Sequence, residues 1–339
     1  MLSKEINAWL NNSIDSVFSV KEISGRANSK IFKIITKNQK YALKLYPSKK
    51  FDKRERLLVE FETLTALHQY QVCNTPKPIK KSSDLNIALY EWIDGVILRE
   101  VGVKEVFDAL YFIQSLKDVS NFKNNISNRL ASEACLSAKE LVLQIEHRFK
   151  KLSEVDIKEE PGLHKFLNSQ FKPVFDRLKN RVNKNWKVPW SYDKDLMKEL
   201  QVLSPSDFGF HNAIHIDNNK IIYIDFEYFG WDDPVKLTSD FIWHAGMDVS
   251  SKAQDNWLKG MNKIFIADDN FSERFRMFHP LYGLRWSMIL LNEFLPKVWE
   301  IRKHADSKKI NNHQAIKKNQ FEKSKKYLLK VKELIHEDR

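Results

Sequence analysis

Residues 203–234 read LSPSDFGFHNAIHIDNNKIIYIDFEYFGWDDP. Asp207, His211, Asn212, Asp225, Glu227, Asp232 and Asp233 stand there around two short apolar runs. Carboxylates ordinarily face solvent, so crowding them between stretches that look like buried strands needs a reason. SPSD reads as a turn, DFGFHN leads into the strand AIHI, DNN is a hairpin turn, and KIIYIDFEY is the return strand. The result is a loop followed by a two-stranded hairpin. It carries Asp207 and Asn212 on the loop and Asp225 at the end of the return strand. Strands give such a site rigid support and the loop gives access.

An Asp, an Asn five residues on, and an Asp closing an apolar hairpin are what phosphoryl transfer requires. One carboxylate accepts the proton of an attacking hydroxyl and orients it. A carboxamide and a second carboxylate hold Mg²⁺ through oxygen, which this hard cation prefers. Burial between apolar strands strengthens these interactions and fixes their geometry.

The chain around this stretch has 339 residues, more than one modest core fills, so two lobes are expected. Apolar residues make up 42%, with 22 Phe and 9 Trp, which argues for packed cores and against disorder. The formal net charge of +12 fits an anionic partner, or a lysine-rich surface in water. Cys73 and Cys135 alone make neither a disulfide framework nor a metal-ligand spacing. The first residues, MLSKEINAWLNNSIDSVF, lack the apolar core and cleavage site of a signal peptide, and no run approaches a membrane span. A reducing cytoplasm is the expected compartment.

Up to Asp94 the chain is mostly strands with one helix. IFKII, KYALKLY and IALYEWI are strands, and Leu57, Phe61, Leu64 and Leu67 recur at helical spacing. From residue 96 to 185 three helices are expected, over VKEVFDALYFIQSLKDV, ASEACLSAKELVLQIEHRFKKL and GLHKFLNSQFKPVFDRLKNRV. Helices resume after the quoted stretch. The composition break at Asp94 is the expected lobe boundary.

The segment resembles the aminoglycoside phosphotransferase and choline kinase superfamily, which has a protein-kinase-like fold. That family carries H-x-D-x-x-x-x-N followed by I-D-F/W-E/D. Here stand Asp207, Asn212 and IDFE from Ile224 to Glu227, continued by EYFGWDDP. The resemblance implies an α+β, bilobal protein-kinase-like fold. Residues 1–94 would be a small β-rich nucleotide-binding lobe and 95–339 a large helical lobe for catalysis and acceptor binding. It implies an ATP- and Mg²⁺-dependent kinase acting on a small-molecule hydroxyl acceptor. Asp207 would be the catalytic base or hydroxyl-positioning residue, and Asn212 and Asp225 would hold Mg²⁺. Lys44 of YALK would bind nucleotide phosphates, oriented by Glu60 or, in another helix register, Glu62. Gly25, Ala27, Asn28 and Ser29 would cover the phosphates with backbone N–H groups. Backbone groups of Glu91, Trp92 and Ile93 would face adenine. The resemblance covers roughly residues 20–100 and 200–245. It departs from the family at Pro205, where the family has His two residues before the catalytic Asp.

Other residues have plainer readings. His211 and His215 invite a metal or general-base role, against the plainer reading of loop packing for His211 and a strand face for His215, and Asp232 and Asp233 shape the turn before Pro234. Asp240 is expected to hydrogen-bond the catalytic loop from the following helix. Trp186, Trp190, Trp231, Trp243 and Trp286 read as core, or as an aromatic cage for a quaternary amine. The basic C-terminal segment reads as a helix packing Phe321, Leu328, Val331 and Ile335 with its lysines in water. A non-catalytic nucleotide-binding module is the rival on the same fold. A nucleic-acid-binding protein is the rival in another class, and it lacks any module's basic and aromatic repeats. For the acceptor, Arg129, Arg148, Arg177, Arg181 and Arg285 point to a neutral or anionic hydroxyl compound, such as a sugar or glycan precursor. The competing expectation is a cation held by Glu227, Asp232, Asp233 and Glu293.

Overall fold

The computed structural model describes residues 2–15, 17–23, 29–49, 52–98, 100–120, 128–184, 192–216, 220–305 and 312–337. Val17–Ile23 (β1), Lys30–Thr36 (β2), Lys40–Leu45 (β3), Pro78–Ser82 (β4) and Ile87–Glu91 (β5) form one antiparallel sheet in the order β1-β2-β3-β5-β4. Strand alternation sends consecutive residues of β5 to opposite faces. Ile87 and Leu89 join Phe32, Ile34 and Leu43 under Lys4–Asn11 (α1), which contributes Ile6 and Leu10. Ala88 and Tyr90 join Leu64 and Leu67 of Arg56–Gln69 (α2) in the main core. Covered on both faces, β5 is buried along Ile87–Tyr90. Helix α1 is absent from the sequence reading. Ser3 caps it, with the Oγ accepting from Ile6 N at 3.3 Å.

Val96–Ile97 (β6) and Glu100–Val101 (β7) lead into a helical lobe. It begins with Val103–Ser120 (α3) and Ala138–Ser153 (α4); Pro161–Phe166 (α5) then runs through a π-helical turn at Leu167–Phe171 into Lys172–Lys184 (α6). The quoted stretch holds Val202–Ser204 (β8), Ala213–Ile216 (β9), Lys220–Tyr223 (β10) and Gly230–Asp232 (β11). Strand β9 lies between β10 and β6, and β11 pairs with β8. Pro234–Trp243 (α7), Asp248–Val249 (β12), Ser251–Ile264 (α8), Phe271–Leu290 (α9), Pro296–Ala305 (α10) and His313–Glu337 (α11) complete the lobe. The result is the expected α+β, two-lobed architecture. Helix α11 packs on α9 and buries Leu328, Val331 and Ile335. Phe321 meets Phe166 edge-on at 5.5 Å. Among the described residues no helix is long and apolar enough to cross a membrane.

Two expectations are corrected. The second helix starts at Ala138, not Ala131, because Ser137 caps it by accepting from Glu140 N at 3.3 Å. The preceding residues bridge to β11 instead: Ala131 N donates to Trp231 O at 2.9 Å. That approach is why residue 230 is glycine, since a Cβ there would stand 2.4 Å from backbone atoms of Leu130 and Ala131. The return strand stops at Tyr223: Ile224 N still donates to Asn212 O at 2.9 Å, but Asn212 belongs to the 3₁₀ turn Phe210–Asn212, and Asp225 leaves the strand at φ 70°. The expected hairpin turn, 217–219, lies outside the described residues.

Candidate active site

A cleft of about 560 Å³ is lined by Ser29, Lys44, Glu60, Glu91, Trp92, Ile93, Asp207, Asn212 and Asp225. All were singled out in the sequence; Gly25, Ala27 and Asn28 lie outside the described residues.

Lys44 comes from β3, between the sheet and the hairpin. Its Nζ lies 2.7 Å from Glu60 Oε2, 2.6 Å from Asp225 Oδ1 and 3.2 Å from Glu227 Oε2. Burial disfavours the ammonium, but Asp225, Glu227 and Glu60 outweigh it and hold the Lys44 pKa well above that of an ordinary lysine. Burial raises the Glu60 carboxyl, opposed by Lys44. Glu60 also accepts from Tyr46 OH at 2.6 Å and from Phe226 N at 3.2 Å. Of the two registers on α2, the one facing Lys44 carries Glu60. Glu62 points away, 3.7 Å from Arg129 and 4.0 Å from Lys81.

Asp225 has φ 70°, in the left-handed region that non-glycine residues rarely visit. The conformation accompanies the end of β10 and brings the carboxylate to Lys44. Glu227, two residues on, is buried and ion-pairs with Arg56 at the start of α2. Ser29 Oγ reaches the same carboxylate at 3.4 Å.

The loop after β8 carries Asp207. Ser206 has φ 66°, and its Oγ donates to Ser132 O at 2.8 Å. Asn212 Nδ2 donates to Asp207 O at 3.1 Å. That bond uses the amide nitrogen and leaves the amide oxygen for another partner. The Asp207 Oδ1 accepts from His244 Nε2 at 3.0 Å, and His211 Nε2 lies 3.2 Å from the same atom. The two imidazoles stack with centroids 3.7 Å apart and planes 8° apart. Partial burial works against the Asp207 charge, yet the imidazoles hold its carboxyl well below the usual range. Burial, followed by His211, lowers the His244 pKa.

Beneath the loop lies a buried charge network. Asp233 caps α7 through Val235 N at 2.7 Å and ion-pairs with Arg274. Asp232 accepts from Cys135 N at 3.0 Å and from Lys236 at 2.7 Å. Asp240 does not reach the loop as expected. It binds Arg285 at 3.2 Å, Lys236 at 3.3 Å and Trp286 Nε1 at 2.8 Å. Lys236 occupies the intervening space, its Nζ 3.5 Å from Ser206 Oγ. His215 lies on β9 as expected, paired with Ile221 and Val96.

Sequence reasoning weighed a metal or general-base role for His211 but preferred loop packing, and it missed His244 and Arg56. His244 follows α7, 37 residues after Asp207, and no motif spacing marks it. Arg56 stands in the charged run DKRER, and no motif singles it out. The tryptophans do not converge: Trp231 stacks under Lys198 at 3.4 Å, Trp243 donates to His279 O, and Trp286 meets His244 edge-on. Trp186 and Trp190 lie outside the described residues.

The fold has many solved counterparts. Choline kinase LicA from Streptococcus pneumoniae matches with a TM-score of 0.59 at 15% identity, over 96% of this chain and 99% of that one. Spectinomycin phosphotransferase APH(9)-Ia, solved with ADP and spectinomycin, matches with a TM-score of 0.61 at 10% identity, over 98% and 99%. The gentamicin complex of APH(2")-IIa matches with a TM-score of 0.61 at 18% identity, over 97% and 96%. At these identities the likeness speaks for the fold. No curated protein matches the sequence. The model of the phosphotransferase enzyme family, APH, matches residues 19–270, a span that holds the sheet, the cleft and α7. The chain is a member of that phosphotransferase family.

Proposed function

We propose that this phosphotransferase is an ATP- and Mg²⁺-dependent kinase that transfers the γ-phosphate to a hydroxyl of a neutral, sugar-like acceptor. Residues 1–94 hold the nucleotide and 95–339 supply catalysis and acceptor binding. The observation that carries the reading is the convergence of Lys44, Glu60, Asp207, Asn212 and Asp225 on one cleft. Lys44, steadied by Glu60, binds phosphate oxygens. The Glu91 and Trp92 N–H groups donate to Lys77 O and Lys40 O, so Ile93 is the N–H of that segment left for adenine. Asn212 and Asp225 offer oxygen donors side by side, which suits Mg²⁺. When bound, the ion would neutralise charge on the transferring phosphate. Asp207 is held ionised, with one oxygen on the histidines and the other open to orient the acceptor hydroxyl.

The acceptor's charge follows from what is already paired. Of the four acids that would hold a polyamine, Glu227, Asp232 and Asp233 are each bound to a buried cation, and Glu293 is itself buried. Arg148 and Arg285, two of the arginines behind an anionic acceptor, share Glu133. This removes the support they gave to an anionic acceptor. Burying an unpaired charge is costly, so a site of compensated pairs suits a neutral polyhydroxyl compound. The test is kcat/KM across neutral sugars, sugar acids, choline and aminoglycosides, read as ADP release. Neutral sugars are expected to lead. Efficient turnover of amines alone would overturn the acceptor assignment, and no ADP release from any hydroxyl compound would favour the non-catalytic rival.

A further inference from the structure

We propose that Asp207, His211 and His244 form a site for a borderline transition-metal ion such as Zn²⁺, separate from the Mg²⁺ site, whose occupation shuts the catalytic carboxylate down. Three ligand atoms from a loop, a 3₁₀ turn and the residue after α7 lie within 4.8 Å of one another. The carboxylate-to-imidazole separations are 3.0 and 3.2 Å. Tetrahedral Zn²⁺, with bonds of about 2.0–2.1 Å, sets its ligands about 3.3 Å apart, so these edges already have metal-site length. Closing on an ion requires the two rings to splay from their parallel stack so that both Nε2 lone pairs converge, and His211 lines the cleft from which the ion would enter.

A second observation points the same way. Both ring nitrogens of His211 are buried without an aligned hydrogen-bond partner, although Nε2 sits beside a carboxylate. Buried polar atoms are ordinarily satisfied, and a metal ion would satisfy Nε2. The ligand chemistry separates the two ions. Two imidazoles and one carboxylate select Zn²⁺ or Co²⁺, whereas Mg²⁺ prefers the oxygens of Asn212 and Asp225. A transition-metal ion on Oδ1 would neutralise the group that orients the acceptor hydroxyl. That inhibitory consequence rests on the proposed kinase reading, while the binding itself does not.

The test is made on the full chain, stripped of metal and without nucleotide. Titration with Co²⁺ is followed by the visible d–d absorption of the tetrahedral ion, and Zn²⁺ by calorimetry. One ion per chain is expected, not displaced by millimolar Mg²⁺. Affinity is expected to fall at least roughly tenfold in His211→Ala, His244→Ala and Asp207→Asn, and to be kept in His336→Ala. Circular dichroism checks that each variant is folded, and Asp207→Asn, which keeps side-chain shape, serves if a histidine variant is not. No saturable binding, or binding that survives all three substitutions, overturns the proposal. Neither outcome bears on whether the chain phosphorylates a hydroxyl.

Discussion

Asp207 has its Oδ1 committed to imidazole and its side chain 37% exposed toward the cleft. On the proposed role of Asp207, Asp207→Asn replaces the oxygen that would orient the acceptor with an amide. The variant is expected to fold and bind ATP nearly as the parent does, and to lose about 10²–10⁴-fold in kcat. Single-turnover kinetics beside nucleotide titration checks both halves, and near-normal turnover would remove Asp207 from its role. A second residue sets an acid limit on stability. Burial lowers the His279 pKa from 6.5 to about 3, so the folded state stays neutral where the unfolded chain takes a proton. Its contribution is whole above pH 6.5 and is lost as pH falls toward 3, by up to about 1.4 kcal/mol per pH unit. His279→Phe is expected to flatten that part of the stability curve in urea melts from pH 7 to 4. At this scale the sequence was informative where chemistry forces a spacing, as for Asp207 and Asn212. It was silent on His244, whose contact arises only when the residue after α7 folds back over the loop.

The irregular segment before α4 tests how one element supports another. Gly230 admits the backbone of residues 129–131 to β11, and β11 pairs with β8, which leads into the catalytic loop. Gly230→Ala puts a methyl against backbone, which cannot move aside as a side-chain tip can. A loss of about 1–3 kcal/mol is expected, with kcat falling as well because the loop shifts. Ser137→Ala removes only the cap of α4 and is expected to cost about 1 kcal/mol with kcat unchanged. Equal effects of the two on kcat would contradict this division. Helix periodicity ran past Ser137 because residues 131–136 are apolar enough to look helical, and only tertiary contacts with β11 show otherwise. Helix α1 went unread because eight residues carry little periodic signal. The sheet strands were legible because β-branched and aromatic residues cluster between turn residues.

Across the whole molecule, the two-lobed α+β fold was legible from strands giving way to helices along the chain and from the ordered motifs. The manner in which the lobes join was not. Lys44, Arg56 and Glu60 from the sheet side meet Asp225, Phe226 and Glu227 from the hairpin. Asn74 adds a backbone bond, its carbonyl accepting from Tyr223 N at 2.8 Å. Glu227→Ala would leave Arg56 buried with Asp52 alone. It is expected to cost about 3 kcal/mol or more and to loosen the junction, seen as faster amide exchange in β10 and α2. The same junction has a consequence for how nucleotide enters. Before any ligand arrives, the cleft is lined by Glu60, Glu91, Asp207, Asp225 and Glu227 against Lys44, so its acids outnumber its cations, and Lys44 already contacts three of them. Bare ATP would bring further negative charge to a gate already negative, and would have to prise Lys44 from Asp225 without giving Asp225 a new counter-charge. A metal-complexed nucleotide brings that counter-charge along. On the proposed kinase reading, Mg²⁺ would therefore serve as an admission ticket as well as a reagent. Calorimetry is expected to show weak binding for ATP with chelator, weak binding for Mg²⁺ alone, and tight binding for the two together.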